Sequence, residues 1–173
     1  DQISNPSYAI GGDKLKIFWD GNTVDDGTQN LFVLQGKHDE AQDDIVQLWQ
    51  LKNEIIYTDG MNVVQTFSSP TGGGGWGRSV DSTSDGTTIL IGSLNTNVVQ
   101  VWSTTTAALY STPAGTVSNP YTLTDTITGL YHGGYRFGSS VAMSEDKIVV
   151  IGEPYYNTGN SGVGAVYYST PTN

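Results

Sequence analysis

The side chains best suited to acid–base or metal chemistry in this 173-residue chain are its 17 Asp and Glu residues and two His, since it contains no Cys. Without Cys there is no disulfide, no thiolate nucleophile and no Cys metal ligand. The densest group is His38-Asp39-Glu40-Ala41-Gln42-Asp43-Asp44. Asp39, Glu40, Asp43 and Asp44 could gather a cation or a basic partner, although such a run is ordinarily a hydrated loop. Asp20, Asn22, Asp25 and Asp26 precede Gly27 at a spacing that approaches a Ca²⁺ loop, but Val24 falls where a side-chain ligand is needed. A solvated Asp/Asn turn is the simpler reading there. Ca²⁺ in that loop is the one cofactor candidate, and the expectation is that no cofactor is bound.

Hydrolysis needs a nucleophile, base and stabiliser in contact, or two carboxylates facing each other across a pocket. His38 and His132 lie in different parts of the chain, and no Ser sits in a strand-to-helix elbow. Gly72-Gly73-Gly74-Gly75-Trp76-Gly77-Arg78-Ser79 approaches a phosphate-cradling loop, but such a cradle needs a following helix, and strand signals follow here. The glycines read as a connection, and no catalysis is expected. Aromatic rings offer a different chemistry, since on loops they stack on sugars or anchor protein interfaces. Tyr155 and Tyr156 are the candidates for that role.

The elements that must hold these residues are short strands. Hydrophobic residues make up 36% of the chain and charged residues 14%, with 22 Gly, a profile of turns and strands with few long-chain helix formers. The expected class is all-β. A formal net charge of -10 repels phosphate backbones and anionic membrane surfaces, so nucleic acid is not an expected partner. No apolar run approaches the ~18 to 20 residues of a spanning helix, and membrane insertion is not expected either.

The strands recur. Trp76-Gly77-Arg78-Ser79-Val80 is echoed by Phe137-Gly138-Ser139-Ser140-Val141, and each leads through a turn to an apolar run ending in Gly, Thr88 to Gly92 and Ile148 to Gly152. A third strand closes each unit, Val98 to Thr104 and Gly164 to Thr170. A weaker copy lies upstream in Leu31 to Gly36 and Ile45 to Leu51. Each unit reads as a small antiparallel meander that cannot bury both its faces alone and must stack on its neighbours. Trp49, Trp102 and Tyr168 are expected to occupy one repeated packing position.

Phe137-Gly138, Ser140-Val141-Ala142, Ile148 to Pro154 and Gly164-Ala165-Val166-Tyr167 together resemble the FG-GAP repeat of integrin α-subunit propellers and of algal, bacterial and large-virus surface proteins. Phe137-Gly138 stands for the FG and Gly152-Glu153-Pro154 for the GAP, with Glu in place of Ala. The resemblance covers about residues 76 to 170, partly 30 to 51, and leaves out 1 to 13. Calcium-binding members carry a longer carboxylate-rich loop after the first strand. The turns here, Asp81 to Gly86 and Met143 to Lys147, offer too few oxygens for the six to eight that Ca²⁺ takes.

The resulting expectation is an all-β chain of about three FG-GAP-like antiparallel blades. Residues 1–52 form an N-terminal segment and a first, divergent blade; 53–75 a Gly-rich connection; 76–104 a second blade; 105–136 a connection and outer strand; 137–173 a third blade. Closed propellers use ~4 to 8 blades, so three imply a segment of a longer chain or a fold completed against other subunits. A start at Asp1 rather than Met reads as a processed chain or a fragment of a longer one. The resemblance implies a non-catalytic module of adhesion or assembly on a cell surface, in an extracellular fibre or on a virion exterior, with other protein subunits or further blades as partners. A carbohydrate-binding or carbohydrate-cleaving propeller, with a glycan as partner, is the alternative, and a single β-sandwich a third reading.

Overall fold

A computed structural model of the chain describes residues 14–19, 30–37, 45–52, 62–69, 75–94, 96–110, 118–129, 136–155 and 165–169. These residues form three antiparallel meanders. The first sheet runs β1 (Lys14–Trp19), β2 (Asn30–Lys37), β3 (Ile45–Lys52) and β4 (Asn62–Ser68) in sequence order. The second runs β5 (Trp76–Ser82), β6 (Thr88–Ser93), β7 (Val98–Ser103) and β8 (Thr122–Thr128), with the single turn of helix α1 (Thr106–Tyr110) between its last two strands. The third holds β9 (Ser140–Met143), β10 (Val149–Glu153) and β11 (Ala165–Ser169). The described residues are thus almost entirely β, in the blade-like units that the repeats imply.

Local chemistry closes the inner hairpins. Between β5 and β6 the Thr83 amide donates to the Thr88 carbonyl and the Gly86 amide to the Thr83 carbonyl, both at 3.0 Å. Gly86 takes φ 67, a left-handed conformation without steric cost in glycine. The turn between β9 and β10 is shorter, and Lys147 adopts φ 62 in the same role, donating to the Ser144 carbonyl at 2.9 Å.

All six residues of β6 are buried, because this strand is covered on both faces. Ile89 and Ile91 join Phe32, Leu34, Val46, Leu48, Val64, Phe67 and Trp76 in a core between the first and second sheets. Leu90 turns the other way and joins Val99, Phe137, Val149 and Ile151 in a core between the second and third. The alternation is the period-2 geometry of a strand. Trp102, half-buried, meets Phe67 edge-on at 5.0 Å between ring centroids, which ties β7 to β4.

Two features differ from the sequence reading. Residues 53–75 contain a full strand, β4, which hydrogen-bonds along β3. Asn62, Gln65, Thr66 and Ser68 mask its pattern, and a register shift between Leu48 and Trp49 brings Val64 and Phe67, three apart, into one core. The expected equivalence of Trp49, Trp102 and Tyr168 also fails at its last member. Gly36, Gly92 and Gly152 are matching points, paired with Lys14 of β1, Ser79 of β5 and Ser140 of β9, and counting from them Trp49 pairs with Val33, Trp102 with Ile89 and Ser169 with Val149. Tyr168 pairs with Val150 and so takes the position of Val101. A one-residue slip in a strand exchanges its faces.

Candidate interaction surface

The sheets meet through paired glycines. A Cβ on Gly36 of β2 would collide with the carbonyl oxygen of Gly77 in β5, and one on Gly77 would lie 2.5 Å from Val46 Cγ2. The joint repeats one sheet on, where a Cβ on Gly92 would meet the Gly138 carbonyl and the Ser79 hydroxyl. Ser79 Oγ donates to that Gly138 carbonyl at 2.7 Å in a buried bond. Gly77 and Gly138, at φ +77 and +84, can take the left-handed turn that presents their carbonyls.

Carboxylates lace the same sheets together at the inner hairpins. Asp81 of β5 accepts Lys16 Nζ of β1 at 2.6 Å and the Met143 amide of β9 at 2.8 Å, so one side chain touches all three sheets. Both oxygens of Glu145 accept the Ser84 amide, at 3.0 and 3.1 Å, linking the hairpin turns of the second and third sheets. Asp85 accepts the Thr87 amide at 2.9 Å and the Thr83 hydroxyl at 2.7 Å within its own turn. Its partial burial works to raise its pKa. The Thr87 amide, the two threonine hydroxyls and the charge of Lys147 outweigh that and hold it below the ordinary Asp value. The carboxylates of these turns therefore serve as acceptors for amides and hydroxyls.

Of the candidate contact residues, Tyr155 lies just past β10 and is 51% exposed. The Arg136 guanidinium stacks 4.5 Å from its ring centroid and donates from Nη1 to its Oη at 3.4 Å. One ring face of Tyr155 is thereby occupied. Tyr156, the acidic positions Asp39, Glu40, Asp43 and Asp44, and the Asp20, Asn22, Asp25 and Asp26 loop lie outside the described residues. Asp81 and Glu145 escaped the sequence reading, because a single carboxylate in a strand or turn looks solvated until the neighbouring sheet is in place. The recurrence of Ser79 as Ser140, two residues after the glycine, was the visible signal of the joint.

The third sheet repeats the receiving half of this joint. Ser140 Oγ stands against Gly152 as Ser79 Oγ stands against Gly92, but no described carbonyl fills the place that Gly138 takes in the earlier joint. Val150 and Val166 are 39% and 73% exposed, where their counterparts Leu90 and Val99 are 0% exposed.

Residues 132–168 match the FG-GAP repeat family, a span that covers β9, β10 and nearly all of β11. This segment is similar to an FG-GAP repeat. No curated protein and no solved structure matches the chain. Of the FG-GAP motif residues, Phe137 is 1% exposed in the second core, Gly138 supplies the carbonyl of the joint with Gly92, and the Gly138 amide donates to the Gly152 carbonyl at 3.1 Å. Glu153, which replaces the Ala of the motif, is fully buried and its carboxylate oxygens find no hydrogen-bond partner, a desolvation cost that the motif's Ala would not carry. An FG-GAP repeat points to a propeller-type protein-interaction module, from a family that is generally non-enzymatic and typically extracellular. Among the described residues no helix is long and apolar enough to cross a membrane, and no three His, Asp or Glu converge as metal ligands.

Proposed function

We propose that the chain is a non-catalytic module of protein–protein adhesion or assembly, displayed on a cell surface, in an extracellular fibre or on a virion exterior. The observation that carries this reading is the outer face of the third sheet. An FG-GAP blade whose counterparts in the preceding blade are sealed by a neighbour carries Val150 and Val166 in the open. Apolar side chains held on a rigid sheet, rimmed by polar groups such as Ser140, are the form that protein interfaces take. Remaining blades of a parent chain or other subunits are the partners of this face, and the acidic loop from Asp39 to Asp44 would add attraction for a basic partner.

Tyr155 supports a second reading, a glycan-stacking contact, since it is an aromatic side chain about half exposed at the end of β10. One experiment separates the two. Labelled intact protein is bound to cell or particle surfaces before and after treatment with protease or with glycosidases. Protein–protein adhesion predicts saturable binding that is lost with protease and kept after deglycosylation. Loss on deglycosylation alone, or turnover of any glycan in a hydrolase panel, overturns it in favour of the carbohydrate reading.

A further inference from the structure

The joint between sheets has two halves: the third sheet carries an open copy of the receiving half, and the first sheet carries a partly covered counterpart of the docking half, in which Gln35 stands where Ile91 stands in the second sheet. The receiving half is a face with a glycine in its second strand, a serine hydroxyl beside it and apolar residues around it: Gly92, Ser79, Leu90 and Val99 in the second sheet. Gly152, Ser140, Val150 and Val166 reproduce it in the third sheet, uncovered. The docking half is the opposite face of a sheet. In the second sheet it is Ile89 and Ile91, with Trp102 beside them, packed on the first sheet. Register places Val33 and Trp49 of the first sheet where Ile89 and Trp102 stand in the second. Phe32 and Leu34 point into the core shared with the second sheet, so strand alternation puts Val33 on the other face, where it is half-buried. The sequence repeats one more element of the docking half: Gly12 precedes Lys14 by two positions, as Gly77 precedes Ser79 and Gly138 precedes Ser140, and all three of these later residues pair with the matching glycine of the next strand.

We infer that the outer face of the third sheet receives the first sheet of a second copy of this chain, head to tail. The contact continues an interface that the fold already builds twice, through Gly36 against Gly77 and Gly92 against Gly138. The occupant is fixed by that continuity: it must present a glycine carbonyl to Ser140 Oγ and an apolar β face to Val150 and Val166, as each following sheet does within the chain. Two copies joined in this way bring six blades, within the ~4 to 8 that close a propeller, and a head-to-tail contact closes on itself when the rotation allows. The inference rests on the propeller-type interaction reading and names the partner of its open face.

The test is sedimentation of the full chain across roughly 1 to 100 µM, with Val166→Glu to spoil the receiving half and Val33→Glu to spoil the docking half. Circular dichroism confirms that each variant folds, and Val150→Lys replaces Val166→Glu should that one not. The wild-type chain is expected to shift from monomer towards dimer. Each variant alone is expected to associate at least about tenfold more weakly, since a charge is placed in an apolar contact. A mixture of the two variants is expected to recover dimers, because each retains the half that the other lacks, and two spoiled copies of one symmetric patch would not complement. A monomeric wild type, an unaffected Val166→Glu, or a mixture that stays monomeric each overturns head-to-tail pairing. None of these outcomes touches protease-sensitive surface binding, so the broader adhesion reading stands or falls separately.

Discussion

Glycines at the joints do different work although they share one motif position, and substitution separates them. A methyl group on Gly36 runs into the backbone carbonyl of Gly77, and one on Gly92 into that of Gly138, so in both a whole sheet has to retreat. On Gly152 the methyl meets the Ser140 hydroxyl, the end of a short side chain that can rotate away, and its other neighbours, also within Ser140, lie at 3.6 Å or beyond. Gly36→Ala and Gly92→Ala are therefore expected to cost about 3 kcal/mol or more, at the upper end of overpacking penalties, and Gly152→Ala about 1 kcal/mol or less. Denaturant melts of the three variants check the order. Equal losses at all three would mean that the glycines matter for their own backbone freedom and not for the approach of the next sheet.

Elements were legible in the sequence to the extent that their residues alternate and are anchored by a motif. The aromatic–glycine pairs marked the starts of β5 and of the hairpin that holds β9, and Val, Ile and Leu runs marked β6 and β10, because β6 is buried on both faces and β10 on one. Strand β4 was hidden, since half its side chains are polar and its buried pair is out of phase across a register shift. Its most telling residue is Gln65, which looks like a surface side chain and is 4% exposed. Gln65 Nε2 donates to the Tyr121 carbonyl at 3.1 Å, and its Oε1 accepts the Tyr121 amide at 2.8 Å, so the first sheet grips the chain as it enters β8. Gln65→Ala strips two buried backbone groups of this partner and is expected to cost about 2 kcal/mol or more. Tyr121→Phe, which removes only the hydroxyl that donates to the Gly86 carbonyl, is expected to cost about 1 kcal/mol. Urea titration of both tests the assignment, and a Gln65→Ala loss smaller than that of Tyr121→Phe would remove it. The Tyr168 misalignment has the same root: without the pairing register, a one-residue offset between aromatic positions is invisible in sequence, although it moves a residue to the other face.

At the scale of the whole molecule the dominant electrostatic fact is a net charge of -10. Lys16–Asp81 is the ion pair formed among the described residues, so little of that charge is neutralised pairwise within them. Like charges spread over one compact body repel, and unfolding relieves the repulsion by spacing them out. Salt screens this, since the Debye length falls from about 30 Å at 0.01 M to about 8 Å at 0.15 M ionic strength. The melting temperature is therefore expected to rise by a few degrees over that range of NaCl, against the small loss that screening imposes on Lys16–Asp81, a single partly exposed pair. The same measurement addresses metal binding. If the acidic loops from Asp20 to Asp26 and from Asp39 to Asp44 are only solvated turns, Ca²⁺ at matched ionic strength should do no more than NaCl, and EDTA should leave the transition where it was. A ligand that binds the folded state alone adds stability in proportion to the logarithm of its concentration over its dissociation constant, about 2.7 kcal/mol at a hundredfold excess. A rise of many degrees with millimolar Ca²⁺, reversed by EDTA and absent in NaCl, would thus establish a specific site in one of those loops, and substituting Asp25 or Asp43 would say which.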